Sequence, residues 1–197
     1  MADRASALDG HLVAGVSGNV TEDGPGVVLE LLRDLVLHQV AAWPDTLESC
    51  GVALAEVTGA DALPGPGMAI ESGDVAVLRT EPLKWWIVGT AALPLDPSAG
   101  AVLDLSHSRT RIRITGPDAA ALLNRFLPLD LRENAFPRSS VASSALHHVG
   151  VTLWRSAAGY ELFMPRGFAL SCWEVLMETA RQFGVEVRQS VLPGAGT

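Results

Sequence analysis

Between residues 103 and 131 the chain reads LDLSHSRTRIRITGPDAAALLNRFLPLDL, and much of what could do chemistry is gathered there. Arg109, Arg111 and Arg113 stand at every second position, separated by Thr110 and Ile112 and followed by Ile114. A strand sends alternate side chains to opposite faces, so this spacing puts three guanidiniums on one face and small or apolar chains on the other. Two readings stay open. Guanidiniums pair carboxylates and phosphates in bidentate geometry, so the face could clamp an anion. It could also be a charged strand turned to solvent or to a partner, and the acidic balance of the remaining chain favours a partner. Just before it, Asp104, Ser106 and His107 have the residue types of a nucleophilic triad. They lie too close along the chain to converge, and no Gly-x-Ser-x-Gly elbow presents the serine. No catalytic residue is expected.

Other candidates are sparser. Trp85 and Trp86 are adjacent, so a strand points one indole inward and offers the other as an interface anchor. Arg166 follows Met164 and Pro165 at the start of the last helical pattern, where it could bind a carboxylate or pair with Glu161 or Asp130. His147 and His148 on a strand would point to opposite faces and could not chelate one ion together. Cys50 and Cys172 have no CxxC spacing and read as small core residues of a reducing compartment, with neither disulfide nor metal. No glycine pattern suits a dinucleotide or a phosphate loop, so the chain is expected to hold no cofactor of its own.

Composition narrows the class. A net charge of −8 argues against nucleic acid and anionic membrane surfaces, which need clustered cations. With 48% hydrophobic and 18% charged residues the chain is apolar for a free monomer, which suggests that partner subunits cover part of it. The most apolar window, residues 27–43, is interrupted by Glu30, Arg33, Asp34 and His38 and is too short to span a bilayer. The first residues lack the apolar stretch of a signal peptide, so a cytoplasmic location is expected.

The elements that must position these residues follow from periodicity. Residues 1–26 read as an extended arm, glycine-rich and expected to lie on a neighbour. Residues 27–43 fit either a helix grouping Val28, Leu31, Leu32 and Leu35 or two strands; the β-branched content and the Trp43-Pro44 stop favour strands. A helix capped by Asp45, with Glu48 reaching back, carries the stripe Leu47, Cys50, Leu54 and Val57 and stops at Gly59. Strands are predicted at 75–79, 84–89, 102–105 and 110–115, then a helix from Pro117. A hairpin of 145–155 and 160–164, a helix at 168–182 and a strand at 185–188 complete the chain. The order β-α-β-β followed by β-β-α-β-β-α-β predicts an α+β fold of two packed split β-α-β (ferredoxin-like) units. They would form one domain over 27–190, divided into about 27–95 and 96–190 with the junction at 91–100, and followed by a flexible tail at 191–197.

These residues also carry a family resemblance. The stretch at 103–131 resembles the glycine-cleavage T-protein (aminomethyltransferase) superfamily, whose folate-binding domains open with a D-x-S…G-x-D-A…L…D pattern. The fuller likeness, over roughly residues 50–182, is to the gamma subunits of heterotetrameric sarcosine oxidases. It is carried by ALPGPG, PLKWWIVG, GPDAAALLNRFLPLDLRENAFP, ALHHVGVTLW and GYELFMPRGFALSCWEVL. The resemblance implies a T-protein-like folate-binding-domain fold and strands rather than a helix at 27–43. It further implies a complex that oxidatively demethylates sarcosine, in which alpha, beta and delta subunits carry FAD, FMN, NAD, tetrahydrofolate and zinc. The gamma type is implied to be an accessory subunit without a cofactor. One departure bears on chemistry. Folate-using relatives place aspartates in a G-I-x-D-D segment on the strand after the DL motif, whereas here residues 148–153 read HVGVTL. A free-standing folate-binding or aminomethyl-transferring protein is therefore the second reading. A third is the same subunit type in a related amine oxidoreductase complex. Arg109, Arg111, Arg113 and Arg166, with Trp85 or Trp86, are the expected interface residues.

Overall fold

The computed structural model describes residues 5–59, 62–90 and 93–191. The expected junction therefore falls partly, and the expected tail almost wholly, outside the described residues. A short strand β1 (Gly15–Ser17) precedes β2 (Val27–Arg33) and β3 (Leu37–Ala42). The apolar run at 27–43 thus forms strands, and its break lies at Asp34, whose φ of 55° turns the chain out of one sheet and toward another. Next come α1 (Leu47–Thr58) and the strands β4 (Ala69–Ser72), β5 (Val75–Glu81), β6 (Lys84–Val88) and β7 (Gly100–Asp104). Strand β8 (Arg109–Thr115) leads into α2 (Ala119–Leu123), and β9 (Val141–Leu146), β10 (Val149–Arg155) and β11 (Tyr160–Pro165) follow. Helix α3 (Ala169–Ala180) and β12 (Val185–Val191) end the described chain.

The strands form two sheets. The larger has the order β1-β12-β2-β8-β11-β10-β9 and the smaller β4-β5-β6-β3-β7. All neighbours are antiparallel except β12 and β2. The outer face of the large sheet, with Leu29, Leu31, Ile112, Ile114, Leu153 and Leu162, packs on Leu122, Leu123, Trp173 and Leu176 from α2 and α3. The outer face of the small sheet, with Val40, Val77, Trp85 and Ile87, packs on Cys50 and Leu54 of α1. Between the sheets lie Leu37, Leu78, Trp86, Val88, Trp154 and Phe163. The result is four layers, helix on sheet on sheet on helix, an α+β architecture as the element order implies. Each fully buried leucine or isoleucine in these layers contributes roughly 1.5–3 kcal/mol relative to an exposed one.

Several expectations change. The two sheets do not divide the chain near residue 95: β2 joins the C-terminal strands in the large sheet, and β7 joins the small one. The N-terminal arm lies on its own body. Leu8 is fully buried in the helix-side core, β1 pairs with β12, and Asp9 pairs with Arg33. Helix α1 is entered through a 3-10 turn, Pro44–Thr46, in which the Thr46 hydroxyl accepts the Trp43 N–H; Asp45 is not the cap. Gly59 does close α1, at φ 65° with its N–H donated to Ala55. The stretch predicted as one strand at 145–155 is the end of β9, a turn and the whole of β10, a hairpin with His147 and His148 at its tip and His147 at φ 54°. The two histidines are exposed there, so the strand geometry invoked for them does not apply.

Candidate functional site

The alternation at 109–115 is real, and its charged face points inward. Strand β8 lies between β2 and β11, with Arg113 opposite both Glu30 and Glu161 and Arg111 opposite Phe163. That face of the large sheet is the one covered by the small sheet. Glu161 is fully buried, and its two oxygens serve the two arginines separately: Arg111 Nε donates to Oε2 at 2.9 Å and Arg113 Nε to Oε1 at 2.7 Å. The Ser156 hydroxyl donates to Oε1 at 3.0 Å, and Arg113 Nη1 reaches Glu30 Oε2 at 3.3 Å. Two guanidiniums thus face two carboxylates, and the cluster is neutral as a unit. Arg111 also lies near two rings, its guanidinium carbon 5.5 Å from the Trp154 centroid and 5.4 Å from that of Phe163. For Arg111 and Arg113, the anion that a clamp would take is supplied by the chain itself, and the face they share is turned neither to solvent nor to a partner.

Other candidates also find internal partners. The Ser106 hydroxyl accepts the backbone N–H of Leu37 at 3.0 Å, while its own N–H bonds Asp104 at 2.8 Å. It ties β3 to the turn after β7, its hydroxyl bonding the Leu37 backbone and not a histidine. The Ser106 hydrogen bonds hold the Asp104 carboxyl below the ordinary carboxylate range. Both tryptophans are interior. Trp85 is 1% exposed against α1, and Trp86, 6% exposed, meets Phe163 edge-on between the sheets at 5.6 Å and 78°. Neither indole is the outward anchor expected of one of them. Arg166 pairs with neither Glu161 nor Asp130: the first is taken by β8 and the second by Arg132. It donates instead to Ala5 O at 2.8 Å, fastening the arm.

Arg109 differs from its two neighbours. It is half-buried, its guanidinium carbon stands 5.6 Å from the Trp86 ring, and its Nη1 reaches only Ser108. Burial without a counter-charge pushes its pKa down. Arg109 borders two openings. One, of about 50 Å³, is shared with Arg33, Asp34, His107 and Arg166. The other, of about 260 Å³, lies over β9, β10 and β11 and is lined by Trp86, Ser143, Gly150, Thr152 and Phe163. Val151 and Thr152 both border this second opening, and Val151 also packs in the helix-side core. The arrangement can bind anions at Arg109 but provides no carboxylate in that cleft to hold or transfer a proton.

Among the described residues no three His, Cys, Asp or Glu side chains gather as a metal site, and no helix is long and apolar enough to cross a membrane. Cys50 and Cys172 are buried free thiols whose pKa values burial pushes up. A raised thiol pKa means little thiolate at neutral pH. Both cysteines should resist a thiol-specific disulfide reagent in the folded chain and react at once in denaturant. Rapid native labelling at either position would contradict the packing described. From sequence Glu161 was named only as a possible partner of Arg166, not of β8; its local signal is one acid inside the apolar strand YELFMP.

Comparison with known proteins places this geometry. The family model described as the GCVT N-terminal domain matches residues 74–188, from β5 into β12. Among curated relatives, the sarcosine oxidase subunit gamma of Arthrobacter sp. is 30% identical over 82 residues, 42% of this chain and 40% of that protein. The sarcosine oxidase subunit gamma of Corynebacterium sp. (strain P-1) is 36% identical over 76 residues, 39% of this chain and 36% of that protein. The matched region thus spans about two fifths of these relatives' length. Structural likeness extends further. A chain of the heterotetrameric sarcosine oxidase from Corynebacterium sp. U-96, solved in complex with pyrrole 2-carboxylate, superposes with a TM-score of 0.74 at 25% identity, covering 91% of this chain and 96% of that one. The glycine cleavage system aminomethyltransferase T from Bartonella henselae superposes with a TM-score of 0.60 at 16% identity, over 92% of this chain and 57% of that one, a likeness of fold alone. With its match running over residues 74–188, more than half of the 197, the chain belongs to the GCVT N-terminal domain family.

Proposed function

We propose that the protein is a gamma-type, non-catalytic subunit of a heterotetrameric sarcosine oxidase, which shapes and stabilises the assembly. The observation that carries this reading is the near end-to-end superposition on one chain of such a complex, covering 91% of this chain and 96% of that one. The interior supports it. Arg111 and Arg113 of the strand that looks most like a ligand clamp are neutralised by Glu161 and Glu30, and the cleft beside it offers Val151 and Thr152 where a folate-handling carboxylate would be needed. In this reading the alpha, beta and delta subunits carry FAD, FMN, NAD, tetrahydrofolate and zinc, and this chain contributes surface. The complex would be cytoplasmic.

The test is to express the tagged chain in its native host, isolate it and identify what accompanies it. Three further chains in fixed ratio, a flavin absorbance and sarcosine oxidation by the isolate are expected. Isolation as a lone monomer that binds tetrahydrofolate in a calorimeter would overturn the reading in favour of a free-standing folate protein.

A further inference from the structure

The small opening beside Arg109 gathers four guanidiniums, of which Arg33 pairs with Asp9 and Arg111 with Glu161, while Arg109 and Arg166 have no ion pair among the described residues. It lies at the end of β2, under the N-terminal arm, and Arg33, Arg109 and Arg166 border it together with His107. Asp34 is the one carboxylate on its wall, and no ion pair joins it to any of these arginines. A guanidinium has five N–H donors. Arg109 uses one nitrogen, toward Ser108, and Arg166 one, toward Ala5. Arg33 binds Asp9, yet its buried Nε has no acceptor. A half-buried guanidinium without a counter-charge is costly, and a hydrogen-bonding carboxylate is the group that relieves that cost best.

We propose that Arg109 and Arg166, with Arg33 behind them, form a socket that receives one acidic side chain of a partner subunit, an inference that rests on the subunit reading above. Size selects the source of the carboxylate. At about 50 Å³ the opening takes a carboxylate and little else, whereas pockets for whole small ligands run to roughly 300 Å³ or more. The surroundings select a protein. Phe168 stands 49% exposed on the same 3-10 turn as Arg166, Arg166–Phe168, and is the kind of aromatic that anchors contacts between chains. In a chain of net charge −8 an acidic segment is repelled in general, so one cationic notch also fixes where and how the partner docks.

The experiment uses the complex assembled by co-expression with its partner chains. The wild-type chain must assemble; if it does not, the subunit reading itself falls. Given assembly, the Arg109→Glu/Arg166→Glu chain should bind its partners at least about 30-fold more weakly, and Arg109→Gln/Arg166→Gln should lie between it and wild type. A second measurement does not depend on those chains folding well. In a complex carrying Arg166→Lys, a carbodiimide should form an amide between position 166 and an aspartate or glutamate of a partner, located by mass spectrometry. Unchanged association of the charge-reversed chain overturns the socket, as does cross-linking from position 166 confined to this chain. Stabilisation of the wild-type chain by millimolar glutarate, with assembly of the charge-reversed chain unaffected, would assign the opening to a free carboxylate and overturn docking too.

Discussion

Replacing Glu161 by glutamine should destabilise the protein by about 3–5 kcal/mol, because it leaves two guanidiniums between the sheets short of charge. The substitution preserves shape and one acceptor oxygen, so the loss reads the charge rather than a cavity. Glu161 is fully buried, and its partners Arg111 and Arg113 are 6% and 25% exposed, so water cannot take over the role of the carboxylate. For a domain of this size such a loss should lower the melting temperature by about 10 °C or more. The check is urea and thermal unfolding of the two chains side by side. Arg111→Met should cost less than Glu161→Gln, since Glu161 would keep Arg113 and Ser156 and the methionine would keep the contact with Trp154 and Phe163. Removing Arg132, whose pairing with Asp130 lies on the surface and holds that carboxyl down to about 2, should leave unfolding unchanged. If Glu161→Gln were as mild as a surface pair, the charge balance of the buried cluster would contribute little to stability beyond the β8–β11 ladder.

How far sequence reached is clearest on β8. Period two was plain in RTRIRIT, and so was the segregation of arginines onto one face. What that face meets was not plain, because its counter-charge sits on β11, 48 to 50 residues further along, and in β2, 83 residues back. Period reveals that a face exists, while the identity of the opposing layer depends on non-local pairing. The same limit explains the sheet exchange. The turn at Asp34 has no glycine or proline to mark it, so nothing local says that β2 and β3 belong to different sheets. The hairpin tip at His147 is equally unmarked, a non-glycine residue held at positive φ where a turn usually advertises glycine or asparagine. Elements with conventional punctuation were placed well: Gly59 ends α1, and α3 lies within the predicted helix. For the candidate site, composition named Arg109 and Arg166 but could not separate them from Arg111 and Arg113. Only the position of Glu161 does that.

Phe163→Ala should be the most damaging apolar truncation in the space between the sheets, at about 3–5 kcal/mol. Phe163 is 1% exposed and meets three things at once: the edge of Trp86 from the small sheet, the guanidinium of Arg111 on β8, and the layer formed with Leu37, Leu78 and Trp154. The helix-side cores do not depend on it, since Leu162, Ile112 and Ile114 face the other way and Trp85 packs with α1. The loss should therefore be local in character as well as large. Amides of β3, β5 and β6 should exchange with solvent through an opening that leaves β8 and β11 protected, so that the two sheets separate before either melts. Phe163→Leu, which keeps most of the volume, should cost well under half as much and retain one transition. Hydrogen exchange read strand by strand, alongside urea unfolding, distinguishes these outcomes. Uniform loss of protection across both sheets would mean that the small sheet is held to the large one mainly through the segment entering β9, where Met68 bridges to Ser140 and Ala69 donates to Ser139 at 2.7 Å, and not through the aromatic pair. Retained protection everywhere, with a loss under about 1 kcal/mol, would mean that the layer repacks around the missing ring, which closely packed interiors rarely permit.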